Sequence, residues 1–270
     1  VNNRLFHALF LFLLVFTGSA FALTPKDNLL EIGFNYFNYD YSEKVAPPHK
    51  SNEEGNVPGL QLNYSYRHPG QIYINVFGEL AQGKTDYDGS YQDGTPAKGR
   101  TDNTFARYDL GLGYTFQFLK SIKVSPYLGI GGAQWNRELQ KHTDNYFNER
   151  YDWFYVPVGI FATWEPTSRI SIGARAVYRY MFSAEIKING SMASKFARSL
   201  DDEYEYALEM PVSYRVSEHM NVSVVPSYNV RKLGKSSEFP VLIDGDVYGA
   251  FEPSSEAVTK GIALRIGYLF

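Results

Sequence analysis

Apolar and polar residues alternate along most of this chain with a period of two. In the clearest stretch, Ala106, Tyr108, Leu110, Leu112, Tyr114, Phe116 and Phe118 fall on one side. Arg107, Asp109, Gly111, Gly113, Thr115 and Gln117 fall on the other. Successive side chains of a strand point to opposite faces, so this pattern predicts a strand with one oily face and one polar or very small face.

Ten such windows can be traced, near 29–41, 57–67, 71–84, 103–118, 123–136, 152–164, 170–184, 204–216, 220–231 and 258–270. Very short connections alternate strictly with long polar ones, the latter near 42–56, 85–102, 137–151, 185–203 and 232–257. This rhythm predicts an all-β fold: an antiparallel up-and-down transmembrane β-barrel of about ten strands, with short periplasmic turns and five long external loops. The oily face meets lipid and the other lines the lumen. Misplaced windows would lead to eight or twelve strands instead. Pro126, Pro157, Pro211 and Pro226 lie inside the windows, where each removes a ladder hydrogen bond, so bulges or early strand ends are expected there.

The first residues read differently. Arg4 precedes the apolar run Leu9 to Phe16, and Ala20 and Ala22 complete an A-x-A pattern of small residues. The run is shorter than the roughly 20 residues a membrane helix needs. The expectation is a signal peptide over 1–22, cleaved after Ala22, and a barrel domain over 23–270.

Composition sharpens the picture. Hydrophobic residues make up 44% and aromatic residues 16%, with 22 Tyr and 19 Phe, a heavy load for a soluble domain. A net charge of −3 offers no basic stripe, so no nucleic-acid partner is expected. The absence of Cys removes disulfides, thiol catalysis and cysteine metal sites. Outward aromatics fall where interfaces belong: Tyr64, Tyr66, Phe116, Phe118, Trp164, Tyr214, Tyr268 and Phe270 near the periplasmic ends, and Tyr108, Tyr178, Tyr180, Phe182 and Tyr228 near the outer ones.

The last window places Ile262, Leu264, Ile266, Tyr268 and Phe270 on one face. Here the chain resembles the Gram-negative outer-membrane β-barrel proteins. That resemblance implies that Tyr268 and Phe270 form an assembly signal read by the barrel-assembly machinery. It also implies an integral outer-membrane location in contact with lipid and lipopolysaccharide.

Inward positions carry both charge signs: Glu31, Glu79, Asp109, Glu205 and Glu209 against Arg107, Arg175, Arg179, Arg231 and Arg265. Neighbouring windows pair Glu79 with Arg107, and Arg175 and Arg179 with Glu205 and Glu209. Closure of the barrel would bring Arg265 to Glu31. Desolvated charges need partners, so these ten residues read as a lumen charge network that plugs the barrel. An ion or proton path is the sharper alternative.

Ten strands with five external loops also resemble the omptins, outer-membrane proteases. The resemblance implies an Asp-x-Asp pair near loop two and an Asp-x-His pair near loop four. Asp86-Tyr87-Asp88 suits the first pair, and Asp202 stands for the acid of the second, but Tyr204 replaces the histidine. Tyrosine is a poor base at neutral pH. His49 and His142 are the two histidines in external loops and neither sits at the implied position, while His68 and His219 lie in periplasmic turns. Outward positions hold no histidine for a Ser–His hydrolase, and Asp86, Asp88 and Asp93 do not have EF-hand spacing. No catalytic set, metal or cofactor is therefore expected. The preferred reading is a non-enzymatic structural or surface-interaction (adhesin-like) role through the external loops, toward a host or extracellular ligand. A small-solute pore and an omptin-like protease are the alternatives.

Overall fold

A computed structural model describes residues 27–90, 94–139, 147–190, 196–243 and 246–270. The segment read as a signal peptide, with Ala20 and Ala22, lies outside the described residues. The chain is all-β and closes an antiparallel barrel of ten strands. Its wall begins with β1 (Asn28–Glu43), β2 (Ser51–Arg67), β3 (Ile72–Ser90) and β4 (Pro96–Tyr114), which β5 (Phe116–Leu119) continues. It proceeds through β6 (Ile122–Leu139), β7 (Phe147–Trp164) and β8 (Ile170–Gly190). The short β9 (Phe196–Ser199) pairs with the outer end of β8. One wall position is shared by β10 (Tyr204–Glu209) and β11 (Val212–Arg215), which both pair with β8 and β12 (Met220–Leu233). A hairpin of β13 (Phe239–Ile243) and β14 (Asp246–Ala250) stands apart from the wall. The last strand, β15 (Ser255–Leu269), closes the ring against β1 from Leu29↔Leu269 to Glu43↔Ser255.

The two faces follow the predicted parity. Ile32, Phe34, Leu60, Leu128, Ile130, Leu264 and Ile266 project outward and are exposed, while the residues between them turn into the lumen. Phe116, Phe118, Trp164, Tyr214, Tyr268 and Phe270 are exposed at the periplasmic end. Tyr66 departs from its expected place in that girdle. It is buried, and its hydroxyl donates to Gln71 Oε1 at 2.5 Å.

The strands run well beyond the windows that define them. β2 begins at Ser51, β3 reaches Ser90 and β4 begins at Pro96, so much of what reads as loop one and loop two is paired strand, β2 with β3 from Ser51↔Gly89 to Glu54↔Asp86 and β3 with β4 out to Ser90↔Pro96. β6 and β7 likewise extend to Leu139↔Phe147. The wall therefore continues past the lipid-facing belt as β-ribbon.

The prolines act unequally. Pro211 ends β10 early, whereas Pro126 and Pro226 sit in unbroken register opposite Ile160 and Ile262. At Pro157 the β6–β7 ladder loses rungs between Leu128↔Val158 and Gly131↔Tyr155 without changing register. The register shift occurs elsewhere, between Asp152 and Phe154, where Ser183 takes φ of 53°. That extra residue turns Ala184, Ile186 and Ile188 inward and leaves Lys187 half-exposed.

Candidate functional site

Two layers of side chains fill the lumen. The deeper layer holds the ten charged positions singled out by parity. Arg179 Nη1 lies 2.5 Å from Glu205 Oε1, and Arg107 reaches the same oxygen at 3.4 Å. Arg107 also faces Glu79 at 3.8 Å, and Arg179 faces Asp109 at 3.7 Å. Arg175 stands 3.8 Å from Glu209, and Arg265 stands 3.9 Å from Glu31. Neutral donors complete the coordination. Gln61 and Asn35 donate to Glu79 at 2.7 and 3.1 Å, while Asn63 and Ser223 donate to Glu31 at 2.9 and 3.0 Å. Arg231 lies opposite Glu205 in the ladder, yet its guanidinium rests over the Trp153 ring at 4.9 Å. Tyr155 crosses this layer to donate to Tyr108 O at 3.1 Å, and its ring runs past Gly131. A Cβ at Gly131 would fall 2.3 Å from that ring, so the glycine makes room for it.

The outer layer was not anticipated, because its charged residues and Tyr151 lie in stretches that read as loops, although its other aromatics end predicted strands. Trp135, Tyr39, Tyr41, Phe105 and Tyr151 are buried and pack in one cluster. Trp135 stacks on Tyr151 at 4.7 Å between centroids and donates to Asn103 Oδ1 at 2.6 Å. Above this cluster sits Arg137, only 2% exposed. Its Nε donates to Glu53 Oε2 at 2.7 Å and its Nη1 to Glu149 Oε2 at 2.8 Å, with Glu43 Oε1 at 3.4 Å. Thr85 and Asn103 also donate to Glu53.

Acid outnumbers base here. Tyr151 donates its single hydroxyl proton to Glu252 Oε1 at 2.7 Å, and Glu149 Oε2 lies 3.3 Å from the same hydroxyl. Burial pushes the Glu43 carboxyl above the ordinary glutamate value against the pull of Arg137. Burial pushes Glu252 well above that value, reinforced by Glu149 and Glu43. A period-two reading carried on through Ser51, Glu53, Arg137, Glu149 and Tyr151 would have found this layer.

The omptin-like candidates are not brought together. Asp86 is 83% exposed and faces Arg100 at 3.4 Å. Asp88 pairs with Lys50 at 2.7 Å, a contact that holds its carboxyl below the usual range. Asp202 accepts from the Tyr180 hydroxyl at 2.8 Å on the exposed surface. Asp86 and Asp88 lie on β3 and Asp202 adjoins β10, which is on the opposite wall. Among the described residues, no group of three or more His, Asp or Glu side chains is arranged to hold a metal ion.

Lumen cavities are small. One at mid-depth, between the layers, has a volume of ≈ 70 Å³, and a larger one of ≈ 270 Å³ opens at the periplasmic end.

Comparison with one solved structure agrees with this architecture. The outer membrane protease OmpT from Escherichia coli superposes with a TM-score of 0.69 at 10% identity, covering 92% of this chain and 98% of that one. OprG from Pseudomonas aeruginosa gives 0.45 at 12% identity, covering 92% and 98%. The Pseudomonas putida toluene transporter TodX gives 0.34 at 11%, covering 91% and 90%. At such identities the OmpT likeness speaks to the fold alone. No curated protein matches the sequence. The family model described as "Outer membrane protein beta-barrel domain" matches residues 8–195. The chain belongs to the outer membrane protein beta-barrel domain family.

Proposed function

We propose that this protein is a non-conducting outer-membrane barrel whose role lies in its outer wall, as a structural or surface-interaction (adhesin-like) element. The observation that carries this reading is the outer layer. Arg137, three carboxylates and an aromatic cluster fill the lumen at the level where the wall leaves the lipid belt. A pore would leave that level open, and a hydrolase would converge reactive groups there. Instead the layer stiffens a ribbon that projects beyond the membrane. Rigid scaffolds with polar, tyrosine-bearing rims suit recognition of an extracellular partner.

The test uses cells that display the protein. Adhesion to immobilised laminin, collagen and cultured epithelial cells is compared with that of a variant in which residues 85–101 are replaced by a two-residue turn. The reading expects adhesion above that of non-displaying cells, reduced by the shortened ribbon while the barrel still folds. Equal adhesion by both displayed forms and by non-displaying cells would sink it.

A further inference from the structure

We infer that the periplasmic mouth of the barrel is a receptor for a small oxyanion, a carboxylate or phosphate group gripped by Arg67 and Arg175 beside Phe161. The first observation is Arg67. Its Nε donates to Ser125 Oγ at 2.9 Å, its Nη1 to Thr163 Oγ1 at 2.6 Å, and its Nη2 to Lys123 O and Phe161 O at 2.9 and 3.0 Å. Every one of these acceptors is neutral, and no carboxylate of the described residues lies within ion-pair distance. A guanidinium held in this way keeps its full charge with one N–H of five still to give.

The second observation is a like charge beside it. The guanidinium carbons of Arg67 and Arg175 lie 4.5 and 4.8 Å from the centroid of the same Phe161 ring. Arg175 is buried, its Nε has no partner, and its nearest carboxylate, Glu209, stands 3.8 Å away. Two cations sharing one ring repel each other, and a bound anion removes that repulsion. Planar guanidinium groups also suit the forked oxygens of carboxylate and phosphate.

The third observation is the space. Both arginines line the cavity of ≈ 270 Å³, whose lining counts six lysine and arginine side chains against four carboxylates. Those carboxylates are already engaged. Glu165 faces Lys123 at 3.4 Å, Asp27 meets His68 at 2.5 Å, Glu31 accepts from Asn63 and Ser223, and Glu209 faces Arg175. The unmatched charge belongs to Arg67 and to Arg169 and Arg215 at the rim. Such a mouth takes a small anionic solute from the periplasm, and it does so without any passage through the lumen above.

The mature protein, refolded in detergent, is titrated calorimetrically with sodium pyrophosphate and, separately, with sodium citrate at matched ionic strength. Saturable one-to-one binding is expected, weakened at least about tenfold by Arg67→Gln, which removes charge-assisted hydrogen bonds. Arg150→Gln, at the outer rim, leaves it unchanged. Binding of pyrophosphate alone assigns a phosphate ligand, and of citrate alone a carboxylate. Folding is read from heat-modifiable gel migration, and if Arg67→Gln does not fold, Arg215→Gln at the rim takes its place. No saturable heat with either anion overturns the inference, as does binding that the folded arginine variant leaves intact.

Discussion

Arg137 Nε donates to Glu53 Oε2 at 2.7 Å with both side chains almost wholly removed from solvent. The pair joins β6 to β2 across the outer lumen, and β7 is drawn in through Glu149. Its strength is conditional. Breaking a buried pair by removing one partner costs about 3–5 kcal/mol, because the survivor is left charged and buried. Arg137→Ala is therefore expected to lower unfolding free energy by roughly that amount. Arg137→Met combined with Glu53→Leu is expected to lose less than the sum of the single changes. Urea unfolding of the refolded protein in lipid vesicles measures both, and strict additivity would show that the two residues do not act as a pair.

The acidic excess around Arg137 gives the outer rim a pH dependence of definite sign. Glu252 is raised by burial, by Glu149 and by Glu43, while Tyr151 and Arg137 oppose the shift. A carboxyl raised in the folded state stabilises fully below its ordinary value of 4.5, and that contribution is lost as pH rises through the elevated value. Glu43 shifts in the same direction. The attachment of the segment before β15 is thus expected to loosen as pH rises from about 4.5 toward alkaline. Glu252→Gln, fixed in the neutral form, should flatten this dependence. Hydrogen exchange of the Glu252 and Ser236 amides, which are held by Ser236 Oγ and Glu252 O, reads it directly.

Much of the fold was legible because lipid imposes contrast. Ile262, Leu264 and Ile266 must be apolar and Ala263 and Arg265 need not be, so the period of two stands out wherever the wall crosses the membrane. Beyond the lipid that contrast vanishes. Asn52 and Asp88 face outward into water while Glu53 and Thr85 face inward, and all four are polar. The ribbon therefore reads as loop, and the Arg137 layer was hidden with it. Parity picks out the deeper charges where both strand neighbours are apolar, as at Glu31, Arg107 and Arg265. The shift at Ser183 carries no glycine to announce it, and its one clue is that Ala184, Ile186 and Ile188 alternate with Glu185 and Lys187 in a stretch that reads as loop.

Ser183 offers its own test. A non-glycine residue at φ of 53° carries roughly 1–2 kcal/mol of conformational cost that glycine avoids. Ser183→Gly is expected to raise stability by up to about 1 kcal/mol, and Ser183→Val to lower it by more than that. Deleting Ser183 should cost less than Ser183→Val, because regular alternation after Phe182 would still carry Ala184, Ile186 and Ile188 inward and keep Glu185 opposite Asp152. A deletion more harmful than Ser183→Val would argue against Ser183 as the inserted residue behind the parity change.

The lipid-facing assignment is checked at Leu264, which is 57% exposed on the outward face of β15. Leu264→Arg is expected to cost about 2–4 kcal/mol in vesicles, the range for a basic residue near the midplane. Lys260, on the same face but higher, should tolerate exchange to Arg within about 0.5 kcal/mol. Equal costs at the two positions would place the membrane belt elsewhere on the wall.

The most direct test of a barrel closed at two levels is single-channel recording in planar bilayers. The refolded protein is predicted to insert without unit conductance steps. Arg137→Ala combined with Arg179→Ala, which takes the central cation from each layer, is predicted to introduce them. Stepwise conductance in the unaltered protein would contradict the account, because side chains that fill the lumen cannot coexist with a standing aqueous path.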